Sequence, residues 1–380
     1  MNLDIAVPAR IVFGRGKARG ITGEIAGYGK NLLLVHGSNP ERISWLANDL
    51  PTTCKVTTFA CPKEPNLPLV EEAVALAREN RIDAVVAIGG GSVIDLGKAV
   101  AGLAGSKGDV LDYLEVVGLG KPIEADPLPF IALPTTSGTG AEATKNAVID
   151  VPEQKRKVSL RDRRMLPDLV IVDPALTDNC PRSVTLASGL DAITQLIEPY
   201  LSIKANAFTD GLVDRALPAA LKAIRVLAER EDADARDAMA WASLSSGMAL
   251  ANAGLGAVHG FAGVIGGATG APHGEICASL LAASLQVNLE AAGSANTPLD
   301  RIHEIEAMLE ATFTDQAGSD GFTKLASWIS ANGIRRLTDL GLPRAQFASI
   351  ADASKASSSM RGNMVDLSTD QLVDILERSA

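Results

Sequence analysis

The sequence predicts two architectures in one chain: an α/β amino-terminal domain with a parallel sheet over residues 1–184, and an all-helical carboxyl-terminal domain over residues 185–380. Three observations carry this. Short β-rich runs alternate with helical segments up to about residue 184, the pattern of a parallel sheet with right-handed crossovers. Beyond 185 the chain turns to long Ala/Leu-rich stretches with helical periodicity and almost no β-branched runs. Between Ala84-Val85-Val86-Ala87-Ile88 and a helical segment reaching about Ala104 stands a glycine run, the usual junction of strand and helix in α/β proteins.

Taken in order, Asn31-Leu32-Leu33-Leu34-Val35 reads as a strand ending at His36-Gly37-Ser38, and Val56–Phe59 as a second. The turn-rich 62–68 follows, then a helix from Leu69 to Asn80 and the strand at 84–88. Phe130–Leu133 before Pro134 and Leu169–Val172 before Asp173-Pro174 supply two more strands. A helix is expected to begin near Leu186, and helical periodicity recurs over 207–228, 236–252, 275–292, 303–313 and 322–332.

Composition narrows the function classes. The 380 residues suffice for two cores, and with only 4% aromatic residues those cores must be built from Ala, Val, Leu and Ile. A formal charge of -10 argues against a nucleic-acid surface. The exception is a local basic cluster, Lys155-Arg156-Lys157 with Arg161, Arg163 and Arg164. The start, Met1-Asn2-Leu3-Asp4-Ile5, lacks a basic region followed by an apolar one, and no apolar run reads as a membrane span, so the expected location is cytoplasmic. Cys54, Cys61, Cys180 and Cys277 form no CxxC pair and read as reduced, mostly buried thiols.

Two constellations point to chemistry. Gly89-Gly90-Gly91-Ser92-Val93-Ile94-Asp95-Leu96-Gly97-Lys98 ends a buried strand and opens a helix. Glycines admit a ligand close to the backbone, and the first N–H groups of the helix face an anion. The run matches neither GxGxxG nor GxxxxGK[ST]. The second constellation lies among the few histidines. His259 and His273 are separated by Gly266-Gly267, Gly270 and Pro272, so His259 is expected to end one helix and His273 to begin the next. Asp191 and Gln195 share a helix face at i and i+4. Together these four residues suit a mixed N/O divalent site for Fe²⁺ or Zn²⁺. Buried histidines bonded to carbonyls and a solvated Asp–Gln pair are the alternative.

The ordered motifs then resemble the iron-containing (group III) alcohol dehydrogenase family along essentially the whole chain. They are Phe13-Gly14, Pro65-Asn66, the run at 89–98, Pro134-Thr135-Thr136-Ser137-Gly138-Thr139-Gly140-Ala141-Glu142 and Lys157. Leu166-Pro167, Val172-Asp173-Pro174, Gly189-Leu190-Asp191-Ala192 and the stretch from Gly254 through Pro272-His273-Gly274 complete the set. The resemblance implies reversible hydride transfer between NAD(P) and an alcohol or aldehyde, with a divalent metal acting on the substrate oxygen. By motif match, Gly90, Gly91 and Ser92 hold the pyrophosphate, with Asn66 in the matching turn. Thr135, Thr136 and Thr139 line the cofactor site, Lys157 lies near the nicotinamide ribose, Asp95 near the nicotinamide, and Leu176 on the adenine side. Asp95, Lys157 and His259 are the implied catalytic residues, and Asp191, Gln195, His259 and His273 the implied ligands. Two positions depart from the family: Gln195 stands where the fourth ligand is ordinarily His, and Gly263 where many relatives carry His.

Cofactor choice rests on Gly37 and Ser38 at the end of the first strand. No carboxylate follows directly, and Ser38 or Arg42 suits a 2′-phosphate, which leans towards NADP; Glu41 leaves NAD open. The expected partner is a small alcohol or aldehyde, and the expected assembly a homodimer. Rival readings are a maleylacetate or keto-acid reductase or a polyol dehydrogenase on the same fold, a lyase of the dehydroquinate synthase type, and a silent cofactor-binding protein.

Overall fold

The computed structural model describes residues 3–154 and 156–380, so Met1, Asn2 and Lys155 of the basic cluster lie outside the described residues. The chain divides into two compact units, one of residues Ile5–Asn179 and one containing Cys180–Ala380.

In the first unit, β1 (Ile11–Phe13), β2 (Asn31–His36), β3 (Lys55–Ala60), β4 (Ala84–Gly89), β5 (Phe130–Pro134) and β8 (Leu169–Val172) form one sheet in the order β1-β8-β5-β4-β2-β3. Every pairing in it is parallel. β4 and β5 are buried along their whole length, which is why they read as unbroken apolar runs. The five expected strands are all present. The three-residue β1 went unseen because it is too short to show a period. So did the antiparallel hairpin of β6 (Asn146–Val151) and β7 (Arg156–Arg161).

Helix α1 (Leu67–Glu79) is capped by Asn66, whose side-chain oxygen accepts from the Leu69 N–H at 3.0 Å. Helix α2 (Gly91–Leu103) lies tight on the sheet: a Cβ on Gly97 would stand 2.8 Å from the Ala87 Cβ. Lys98, fully buried on α2, donates to the Ala141 carbonyl at 2.6 Å, Thr144 Oγ1 at 2.9 Å and the Asn146 carbonyl at 2.8 Å. One ammonium thereby ties the glycine-loop helix to the 134–146 segment.

The second unit is helical: α3 (Arg182–Leu201), α4 (Ala207–Glu229), α5 (Ala233–Ala253), α6 (Ala257–Thr269), α7 (His273–Ser294), α8 (Asp300–Thr312), α9 (Gly321–Ala331), α10 (Phe347–Lys355) and α11 (Thr369–Arg378). Its core is aliphatic, with Leu190, Ile193, Ile224, Ile276 and Leu280 fully or almost fully buried. α4 begins at Ala207, as its apolar period predicts, after the cap Asn206, whereas α5 begins at Ala233, ahead of the apolar period at 236, because Asp232 caps it there.

Two expectations are corrected here. α6 runs through Gly260, Gly263, Gly266 and Gly267 and breaks only at residues 270–272, so His259 lies in the first turn of a helix, not at the end of one. A helix interior tolerates glycine where close packing offsets the cost of about 1 kcal/mol. At Gly260 a Cβ would meet Met360 Cε at 2.7 Å. Second, α7 is apolar and long enough to cross a membrane, but 72% of its apolar window is buried among the other helices.

Candidate functional site: a donor cluster and a glycine cradle

Three helices of the second unit bring four ligand-bearing side chains together. α3 supplies Asp191, the first turn of α6 supplies His259, and the start of α7 supplies His273 and, one turn on, Cys277. One donor atom from each lies within 4.8 Å of every other. His259 Nε2 is 3.1 Å and His273 Nε2 3.7 Å from Asp191 Oδ1. Cys277 Sγ is 3.6 Å from His273 Nε2 and 3.8 Å from His259 Nε2. Close backbone approach sets this register, since a Cβ on Gly274 would stand 2.6 Å from the Ala187 carbonyl of α3.

Behind His259 stands Glu198, also on α3. Its Oε2 accepts from His259 Nδ1 at 2.6 Å, which turns the ring's Nε2 towards the cluster. Its Oε1 accepts from the Val258 N–H at 2.7 Å, at the amino end of α6, where the helix dipole favours a carboxylate. Gly256 makes room for it: a Cβ there would stand 3.0 Å from Glu198 Oε1.

The charges compensate one another. Burial would lower both imidazoles. For His259 the interactions with Cys277, Glu198 and Asp191 outweigh it and hold the ring well above its ordinary range. For His273 Cys277 and Asp191 do the same and push it up to about 9. Burial would raise Asp191, but His273 and His259 hold it below the usual carboxylate value. A carboxylate oxygen and a sulfur beside two imidazoles are a donor set that fits a divalent cation such as Zn²⁺ or Fe²⁺.

Of the four expected ligands, Asp191, His259 and His273 converge. Gln195 is buried one turn after Asp191 on α3. Cys277 and Glu198 were missed. Their signals were present as His273-x-x-x-Cys277 and Asp191-x-x-x-Gln195-x-x-Glu198, spacings that share a helix face. The thiol was passed over because it belongs to no CxxC pair.

The glycine run lies in the first unit, between β4 and α2. No side-chain hydrogen bond caps α2 at Gly90. Thr136 and Thr139 press against the glycines: Cβ atoms on Gly90 and Gly91 would stand 3.2 and 2.7 Å from the respective hydroxyl oxygens. The Thr135 N–H donates to the Gly89 carbonyl at 2.9 Å, which fixes that segment to β4. Gly37 and Ser38 follow β2, Ser92 follows the glycines after β4, and Leu176 lies in the turn after β8. All therefore sit past carboxyl ends of strands in one parallel sheet.

Asp95, Asn66 and Lys157 carry local duties. Asp95 Oδ2 accepts from the Val148 N–H of β6 at 3.1 Å, Asn66 caps α1, and Lys157 pairs with Glu64. Elsewhere in the basic cluster Arg161 lies 3.4 Å from Glu115 and Arg164 2.9 Å from Asp162.

The chain is similar to known proteins along its length. The pattern described as iron-containing alcohol dehydrogenase matches residues 8–174, and that of the family's C-terminal domain matches residues 185–380. A probable alcohol dehydrogenase of Escherichia coli (strain K12) is 34% identical over 323 residues, 84% of this chain and 79% of its own. An NAD-dependent methanol dehydrogenase of Bacillus methanolicus is 37% identical over 212 residues, 56% of this chain and 54% of its own. Among solved structures, a 1,3-propanediol oxidoreductase superposes with a TM-score of 0.87 at 28% identity, covering 100% of both chains.

Proposed function

The chain belongs to the iron-containing alcohol dehydrogenase family, and from that premise we propose that it moves a hydride between a nicotinamide dinucleotide and a small primary or secondary alcohol or its carbonyl product. The observation that carries the reading is the convergence of Asp191, His259, His273 and Cys277, with Glu198 locked behind His259. When bound, a divalent cation supplies Lewis acidity towards the substrate oxygen, and the dinucleotide supplies the carbon that accepts hydride.

The protein's own groups do the positioning. Asp191 and the two imidazoles would hold the cation, and Glu198, bonded to Nδ1, would leave His259 Nε2 as the atom facing it. Gly90, Gly91 and Ser92 present the uncapped turn of α2 to the pyrophosphate, and Thr136 and Thr139 close against it. Exposed Arg42 and Glu41, just past Ser38, are the groups that choose between NADP and NAD. Because Lys157, Arg161 and Arg164 already have carboxylate partners, an uncharged alcohol suits this chain better than a keto acid.

The test is net reduction of NAD⁺ and of NADP⁺ by the purified protein, loaded in turn with Fe²⁺ and with Zn²⁺, over a panel of alcohols, diols and 2-hydroxy acids. Turnover with alcohols, lost on chelation and regained with metal, is expected. Absence of net nicotinamide reduction with every alcohol and both metals overturns the reading.

A further inference from the structure

Resting on the metal-centre reading above, we propose that Cys277 is itself a metal ligand, its thiolate taking the fourth protein position beside Asp191, His259 and His273, which makes the site selective for Zn²⁺ over Fe²⁺. Gln195, at the position where the resemblance places a fourth ligand, is thereby relieved of that role.

The argument begins with distances. Metal bonds of about 2.0–2.3 Å at tetrahedral angles separate neighbouring donors by about 3.3–3.6 Å. The four measured edges, 3.1, 3.7, 3.6 and 3.8 Å, scatter about that range, so a cation fits with shifts of a few tenths of an ångström. The sulfur belongs to two of those edges.

Helix geometry holds the thiol there. His273 and Cys277 are one turn apart on α7, whose first turn is pressed onto α3 at Gly274. Cys277 is fully buried, as a coordinating thiol needs to be if it is not to be oxidised. No disulfide uses it.

Chemistry then separates sulfur from the amide. A Gln oxygen is neutral and hard, whereas a thiolate is anionic and soft and suits Zn²⁺ among the abundant divalent ions. With Asp191 it brings two negative charges to a dication, and a substrate oxygen would enter as a fifth donor on the expanded shell. Loss of an imidazole at position 195 is offset by a donor on a different helix.

The test uses the full-length protein freed of metal by a chelator and titrated with Co²⁺, a spectroscopic substitute for Zn²⁺. One Co²⁺ per chain is expected, with a near-ultraviolet thiolate-to-cobalt charge-transfer band. Cys277→Ser should abolish the band and weaken Zn²⁺ binding by at least about the 10–100-fold that loss of a supporting partner costs at such sites. Gln195→Ala should keep the band. In competition at equal concentrations Zn²⁺ should displace Fe²⁺.

Should the serine variant fail to fold, X-ray absorption of the Zn²⁺-loaded wild-type protein decides, with one sulfur expected at about 2.3 Å. Binding of Co²⁺ with no charge-transfer band, or a band surviving in Cys277→Ser, overturns the thiolate assignment while the metal centre stands. Failure to bind either metal overturns both.

Discussion

Glu198 and His259 form a buried pair, carboxylate Oε2 to ring Nδ1 at 2.6 Å, in which the glutamate also accepts from the backbone at the start of the helix that carries the histidine. One side chain therefore sets both the ring tautomer and the position of α6 relative to α3.

This pair predicts that Glu198→Gln keeps the fold but loosens the metal. A neutral amide holds the imidazole less firmly and can present either an oxygen or an NH₂ to Nδ1. Zn²⁺ affinity should fall about 10–100-fold, as for other partners that orient a ligand. Competition with a chromophoric chelator measures it, and unchanged affinity would show that Glu198 serves only the helix end.

Glu142 predicts a pH signature of stability in the α/β unit. Burial pushes its carboxyl up to about 7, against the lowering effects of a backbone hydrogen bond and of Lys98. The folded value lies above the unfolded one, so its contribution is complete below pH 4.5 and is lost as pH rises towards 7. Relative to wild type, Glu142→Gln should gain stability over that window, levelling at about 3 kcal/mol above it. Thermal melts of both proteins from pH 4 to 8 measure the gap; a gap that stays constant with pH would refute it.

Gly91→Ala should damage dinucleotide binding selectively. The new methyl group would stand 2.7 Å from Thr139 Oγ1 and 2.9 Å from its Cγ2, so Thr139 must move. A loss of roughly 1.4 kcal/mol would raise the KM for the dinucleotide about tenfold. Bound metal, held in the helical unit, should remain at one equivalent.

Gly263 sits inside α6 with open space where a Cβ would be. Gly263→Ala should therefore stabilise the helix by about 0.5–1 kcal/mol, the difference in helix propensity, read as an increase in melting temperature. A destabilised variant would mean that close packing, not backbone freedom, requires the glycine.

Much of this protein was legible in its sequence because the signals are local. The apolar runs at 31–35, 84–88 and 130–133 can only be strands buried on both faces, and Gly89–Gly91 before an amphipathic segment marks a strand-to-helix corner wherever it occurs. Asp191, His259 and His273 were likewise recoverable from spacing and motif. The path of α6 was not. Four glycines argue against a helix in the sequence alone; in the fold Met360 packs into the space left at Gly260, while Gly263 faces open space. The β6–β7 hairpin was hidden for a related reason, since its pairing partners are defined only once the chain folds back. Above all, Cys277 and Glu198 looked like an ordinary thiol and an ordinary acid. Their meaning depends on three helices, distant in sequence, being pressed together at Gly256 and Gly274 so that sulfur, oxygen and two imidazoles share one small volume. Local chemistry determined the elements; packing across helices decided which side chains meet.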